Sequence, residues 1–286
     1  MTVETPVRFL QIEPTTRCNL SCGFCAGRAM PERDLTFQAF TDAIELSPHL
    51  THVELQGEGE SMLHPRFPDM LRHIAEKRPD VRVSFITNGT LLDEGSIREI
   101  LDSGVCQVLV SLESADEDAY REIRGASLRD LKRRIRAFMA AKPECAAPVT
   151  RVGLAVTVLR ETVSGIQRIA TLYDELGLDG GIIIQPLQRM TCYERHYTPA
   201  IRAQMPLRPD LLQLRRAITG SPRLRRILAS SAGPGFYAEL TRSAARADVR
   251  PQAAKRAGSS PDSGSPANGA VCPWLVSGLY MAADGT

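Results

Sequence analysis

The chain has no apolar run approaching the roughly 18 residues a membrane-spanning helix needs, and its N-terminus, MTVETPVRFLQIEP, lacks the basic start and apolar stretch of a secretion signal. These absences predict a soluble, cytoplasmic protein with no membrane partner. Neither charge is in excess: 35 basic against 33 acidic residues leave a formal net charge of +2, and aromatic residues make up only 5%. No basic, aromatic-rich surface signature is present, so nucleic acid is not expected as a partner. The scattered histidines His49, His52, His64 and His73 form no metal spacing, and nothing specific supports His196, beyond the last strand, as a substrate acid or base. Seven cysteines are an odd number in a chain without a secretion signal, which argues against a disulfide framework. What is present is ordinary globular material: 286 residues, 43% hydrophobic and 24% charged, with room for one large domain and a smaller appendage. A small-molecule substrate is the default partner.

The short apolar run Val7 to Ile12, halted by Pro14, predicts a buried strand that delivers the chain to a cysteine-bearing loop. Thr36 suits an N-cap for a helix reaching Leu46, with Phe37, Phe40, Ala43 and Ile44 at helical spacing. The alternation recurs, with strands at His52 to Leu55, Val81 to Ile86, Gln107 to Leu112, Arg151 to Leu159 and Gly181 to Gln185. Helices fall between them at Phe67 to Lys77, Asp93 to Ser103, Leu128 to Ala140 and Val163 to Leu176. Six near-continuous apolar strands alternating with helices predict an α/β fold with a parallel sheet. An open, curved (β/α)6 partial barrel is favoured over a flat doubly wound sheet, which has the same alternation. Residues 1–190 are the expected core and 191–257 a helical accessory region, with helices at Pro209 to Ile218 and Pro222 to Leu228. The Ser-, Gly- and Pro-rich stretch 258–269 reads as a flexible linker. Residues 270–286 read as the start of a small module containing Trp274, the single tryptophan.

In either architecture the chemistry belongs at the C-terminal strand ends, where Gly57-Glu58-Gly59-Glu60, Thr87-Asn88-Gly89, and Ser111 with Glu113 fall. Cys18-x3-Cys22-x2-Cys25 adds three thiols on one short loop, able to converge on a soft metal centre. Structural zinc takes four protein ligands, and no second close pair supplies the fourth. An iron–sulfur cluster held by three cysteines keeps one iron open, which is useful for catalysis. The spacing favours the cluster over zinc.

TRCNLSCGFCAGR resembles the cluster loop of the radical S-adenosylmethionine (SAM) superfamily, whose C-x3-C-x2-C signature has an aromatic residue before the last cysteine, here Phe24. The resemblance implies a [4Fe-4S] cluster on Cys18, Cys22 and Cys25. It further implies SAM on the open iron, its reductive cleavage to a 5'-deoxyadenosyl radical, and a flavodoxin- or ferredoxin-type electron donor. Gln56 to Ser61 resembles the family's GGEP motif and implies Gly57, Glu58, Gly59 and Glu60 around the SAM ammonium, although Glu58 between the glycines and Ser61 in place of proline depart from it. Ser111 and Glu113, two apart on one strand face, resemble the Ser-x-Glu pair that reaches the ribose and methionine portions. Asn88 lies in a turn similar to the family's TNG. Arg124 in YREIRGAS resembles the arginine of SPASM-type members that meets the SAM carboxylate, and Ile183 belongs to a segment resembling the one that packs on adenine. Each has a plain structural reading as well: a glycine turn, a strand exit, an Asn-Gly turn, a surface arginine and a core isoleucine.

Cys272-Pro273-Trp274 with Asp284-Gly285 resembles the opening of a SPASM or twitch module and implies an auxiliary [4Fe-4S] cluster with Cys272 as a ligand. Cys192 is a more distant thiol for it, and Cys106 and Cys145 fit no pattern. The expected function is a radical oxidoreductase or lyase-type enzyme acting on a small polar metabolite, such as a sugar, aminocyclitol or nucleoside. Only six residues precede the first strand, leaving no room for an N-terminal peptide-recognition domain. The alternatives are a maturase acting on a peptide substrate and, in another class, a non-catalytic metal protein that would not cleave SAM. No motif marks a catalytic acid or base.

Overall fold

Strand β1 (Phe9–Ile12) ends just before Pro14, which has no N–H to continue a ladder. The chain then alternates through α1 (Phe37–Glu45), β2 (His52–Leu55), α2 (Phe67–Lys77), β3 (Arg82–Thr87), α3 (Glu94–Asp102) and β4 (Gln107–Ser111). It continues with α4 (Glu117–Arg124), α5 (Leu128–Ala141), β5 (Arg151–Val158), α6 (Ile166–Glu175) and β6 (Ile182–Pro186), followed by α7 (Pro199–Gln204), α8 (Arg208–Gly220), α9 (Pro222–Ala229) and β7 (Gly278–Met281). This computed structural model describes residues 7–142, 150–230 and 278–281. The expected linker 258–269, together with Cys145, Cys272 and Trp274, lies outside them.

The strands form one sheet in the order β6-β5-β4-β3-β2-β1-β7, every pair parallel. Alternate residues sort onto its two faces, as a period of two requires. Leu10, Ile12, Val53, Leu55, Val83, Phe85, Val108, Val110, Leu154 and Ile184 pack into the apolar core beneath the helices. Gln11, Glu54, Ile86, Ser111, Ala155, Ile183 and Gln185 line a cavity on the other face. Helices on one side and a hollow on the other define the curled (β/α)6 half-barrel.

Local chemistry sets the helix ends. Thr36 accepts the Ala39 N–H, and Asp93 and Ser96 close a capping box on α3. Phe40, Ile44, Phe85 and Phe138 are fully buried, each worth about 1.5–3 kcal/mol. The sequence pattern did not predict α4 or α7. The eight residues of α4, EDAYREIR, include two large apolar side chains, too few to display a helical stripe, so its caps define it: Asp116 accepts the Ala119 N–H, and Gly125 ends the helix at φ +71°. Residues 278–281, assigned from sequence to a terminal module, run beside β1 as a seventh strand and satisfy backbone groups at its outer edge.

Candidate functional site

A cavity of about 480 Å³ opens at the C-terminal ends of the strands and runs into the barrel. Cys18, Cys22, Phe24 and Cys25 line it from the loop after β1, Gly57 to Glu60 from the end of β2, Asn88 from β3, Ser111 from β4, Arg124 from α4 and Ile183 from β6. Of the site residues expected from sequence and described here, Glu113 alone stands behind the wall.

The cysteine loop is held from several sides. Arg28 donates to the carbonyl oxygens of Thr16 (3.2 Å), Cys18 (3.4 Å) and Glu58 (3.4 Å), tying both arms of the loop to the end of β2. Arg17 pairs with Asp34 at 2.8 Å, Gly23 donates its N–H to Ile123 O (3.2 Å), and Gln204 of α7 donates to Gly23 O (3.2 Å). Sequence reasoning missed Arg28, whose only signal was its position three residues after the last cysteine of the loop.

Glu58 and Glu60 occupy the cavity rim but turn at least part of their carboxylates toward protein. Glu58 Oε2 accepts the Gly27 N–H (3.1 Å) and the Cys25 thiol (3.5 Å), while its own N–H donates to Glu13 (2.5 Å). Glu60 accepts the Thr87 hydroxyl (2.7 Å) and the Asn88 N–H (2.6 Å), clamping the end of β2 to the end of β3. Burial raises the affinity of both carboxyls for a proton, with Glu13 adding to the effect at Glu58. The two glycines are there for closeness: a Cβ on Gly57 would lie 2.1 Å from Glu13 Oε1, and one on Gly59 would lie 2.0 Å from Thr15 O.

Asn88 joins the loop to the barrel. Its Nδ2 donates to Asn19 Oδ1 (2.9 Å) and to Cys18 Sγ (3.8 Å), while its Oδ1 accepts from the Thr90 N–H (2.9 Å) and hydroxyl (2.6 Å). Arg124 donates through two nitrogens to Glu113, and its guanidinium carbon stands 5.9 Å from the Phe24 ring centroid. Arg124 is therefore a buried, paired cation rather than the surface arginine of the plain reading. No sequence signal linked it to Glu113, eleven residues earlier.

The donor set fits a cluster. The three thiols are in no disulfide, and they border one cavity. Their number, one cysteine for each of three irons with a fourth iron left open, and their place on one cavity suit a [4Fe-4S] cluster. Burial pushes the Cys25 thiol up to about 12, with Glu58 adding to the rise, and burial also raises Cys22 despite the opposing charge of Arg124. Thiols so placed ionise when a strongly cationic centre binds them.

Residues 12–172 match the family described as the radical SAM superfamily, more than half of the chain. The chain is 27% identical over 183 residues to the tungsten-containing aldehyde ferredoxin oxidoreductase cofactor-modifying protein of Pyrococcus furiosus, covering 62% of this chain and 51% of that one. It is 30% identical over 176 residues to the PqqA peptide cyclase of Streptomyces rochei, covering 59% and 45%. A probable GTP 3',8-cyclase of Methanococcus aeolicus is 25% identical over 198 residues, covering 66% and 62%. The matched region thus spans about half the length of these relatives. Among solved structures, Streptococcus suis SuiB bound to its precursor peptide SuiA superposes with a TM-score of 0.61 at 18% identity, covering 82% of this chain and 52% of that one. The anSMEcpe structure with AdoMet and a Cp18Cys peptide gives 0.60 at 14% identity, covering 80% and 63%. These likenesses concern the fold.

The chain belongs to the radical SAM superfamily, whose members are enzymes that use a [4Fe-4S] cluster and SAM. Among the described residues no helix is long and apolar enough to cross a membrane.

Proposed function

We propose that this enzyme holds a [4Fe-4S] cluster on Cys18, Cys22 and Cys25, binds SAM along the rim formed by Gly57, Gly59, Asn88, Ser111, Arg124 and Ile183, and acts on a small polar substrate inside the barrel. When bound, the cluster would supply the electron that cleaves SAM to methionine and a 5'-deoxyadenosyl radical. Arg28 and Asn88 fix the loop, and the buried Glu113–Arg124 pair keeps a neutralised guanidinium at the wall. One observation carries the substrate reading: below the rim the cavity is lined by Gln11 and Glu54, with Gln56, Thr157 and Gln185 nearer its mouth, polar residues in a largely apolar barrel.

A second reading, a peptide substrate, is favoured by the likeness to the PqqA peptide cyclase and to SuiB with its precursor peptide. A ferredoxin- or flavodoxin-type donor would supply the electron in either case, and an auxiliary cluster involving Cys272 belongs to the proposal only as a sequence resemblance. The two readings separate when the loaded enzyme, reduced with dithionite, is incubated with SAM and fractions of an extract from cells grown in heavy water. Deuterium in 5'-deoxyadenosine marks the fraction holding the substrate. The small-molecule reading expects it in the peptide-free fraction, and deuterium arising only from the peptide fraction overturns that reading.

A further inference from the structure

Depth within the barrel distinguishes two sets of cavity residues. Gln11 on β1 and Glu54 on β2, which line the cavity, stand side by side in the register of the sheet with Ser84 on β3 and Gln107 on β4, which do not. Ser111, at the rim, is four residues further along β4, two same-face positions nearer the cysteine loop. At about 3.3 Å per residue the Glu54 level therefore lies roughly 13 Å along the strand from Ser111, on the side away from the cysteine loop.

Glu54 is 7% exposed yet lines the cavity. Its Oε2 accepts the Ser84 hydroxyl at 3.3 Å, and Ser84 Oγ lies 2.7 Å from His52 Nε2. Its Oε1 has no hydrogen-bond partner among the described residues, and neither do the side chains of Gln11, Gln56, Thr157 and Gln185. Of these, Glu54 is buried and Gln11, Gln56, Thr157 and Gln185 are half-buried; Gln11 and Gln56 stand beside Glu54 on β1 and at the end of β2, with Thr157 and Gln185 across the cavity on β5 and β6, so their polar groups face the space a ligand would fill. Four are neutral amides or hydroxyls, which suit hydroxyl, carbonyl or amide groups. The fifth is a carboxyl, and Ser84 fixes it in orientation without neutralising it.

We propose that the floor of the barrel is a substrate subsite in which Glu54 receives a protonated amine, while the amides and hydroxyl beside and above it meet the polar remainder of the same molecule. The inference rests on the enzymatic reading above and specifies its substrate class. A desolvated carboxylate gains more from an ammonium than from a neutral donor, because the charge-assisted bond offsets the loss of hydration. Consistent with this, burial pushes the Glu54 carboxyl up to about 7, with Ser84 opposing, so a bound cation would return it to the anion. The shared chemistry, a primary ammonium, is found both in amino sugars and aminocyclitols and in a lysine side chain.

The test uses enzyme loaded with cluster and SAM and labelled with 13C at the glutamate carboxyl, the Glu54 resonance being assigned by its loss in Glu54→Gln. Ethanolamine, ethylene glycol and a lysine-containing hexapeptide are added in turn. The expected result is a saturable shift of that resonance toward the ionised position with ethanolamine, at a concentration at least tenfold below any effect of ethylene glycol. A tenfold stronger response to the hexapeptide also supports the subsite and assigns the amine to a peptide. Equal responses to ethanolamine and ethylene glycol, no response to any probe, or a full shift produced by SAM alone overturn the inference. A parallel portion of the same enzyme, reduced with dithionite and assayed for 5'-deoxyadenosine, reports separately on the enzymatic reading.

Discussion

Arg124 grips the Glu113 carboxylate with two nitrogens beside Cys22, the two side chains being 8% and 0% exposed. A pair this buried is costly to break from one side, because the surviving charge has no water to turn to. Glu113→Gln should lower unfolding stability by about 3–5 kcal/mol, measured by urea denaturation of the cluster-free protein. Glu113→Leu combined with Arg124→Met should lose distinctly less, since neither charge remains. Equal losses in the single and double variants would mean that packing, not the charge, carries the effect.

Asn88 donates to Cys18 Sγ at 3.8 Å. An N–H directed at a ligating sulfur stabilises the more electron-rich, reduced state of a cluster. Asn88→Ala should therefore lower the midpoint potential of the reconstituted cluster. The expected size is roughly 20–60 mV, taking one hydrogen bond at about 0.5–1.5 kcal/mol and a one-electron couple at about 43 mV per kcal/mol. A redox titration followed by EPR checks it, and an unchanged potential would confine Asn88 to bracing the loop through Asn19.

Glu54 should make the protein less stable as pH rises. Its folded-state pKa, about 7, is raised above the ordinary 4.5, so the protonated carboxyl is tolerated in the core below pH 4.5 and a cost grows as pH climbs from 4.5 through 7. Glu54→Gln should accordingly add up to about 3 kcal/mol at pH 8 and nothing at pH 4. His52, held down to about 4 by burial and by Arg82, acts in the opposite sense: its contribution is present above pH 6.5 and is lost as pH falls from 6.5 to 4. Denaturation curves of Glu54→Gln and His52→Gln across this range separate the two. A gain in Glu54→Gln that is the same at both pH values would mean burial does not disfavour the anion.

Much of this was legible in the sequence because it is written locally. Runs such as Val108 to Val110 and Ile182 to Ile184 are buried on both sheet faces and read as strands without any partner being known. The cysteine loop, the glycines after β2 and Asn88 could be placed because motif spacing and strand ends both put them at one mouth. What depends on contact across the fold was not legible. Glu58 and Glu60 stand in the expected motif, but only the fold shows one accepting from Gly27 and the other binding Thr87 and Asn88. Arg28 looks like any arginine until three carbonyls converge on it, and Glu54 passes for an interruption in HVEL until the fold sets it in the cavity wall beside Gln11. The pairing of 278–281 with β1 joins segments nearly the whole chain apart, beyond the reach of any local pattern.

The most direct test of the account is anaerobic. The protein is reconstituted with iron and sulfide, reduced with dithionite, given SAM, and assayed for 5'-deoxyadenosine beside Cys25→Ala. The account predicts 5'-deoxyadenosine from the parent and none above background from the variant; a parent that loads its cluster and binds SAM yet forms none, or a variant that forms as much, would contradict it.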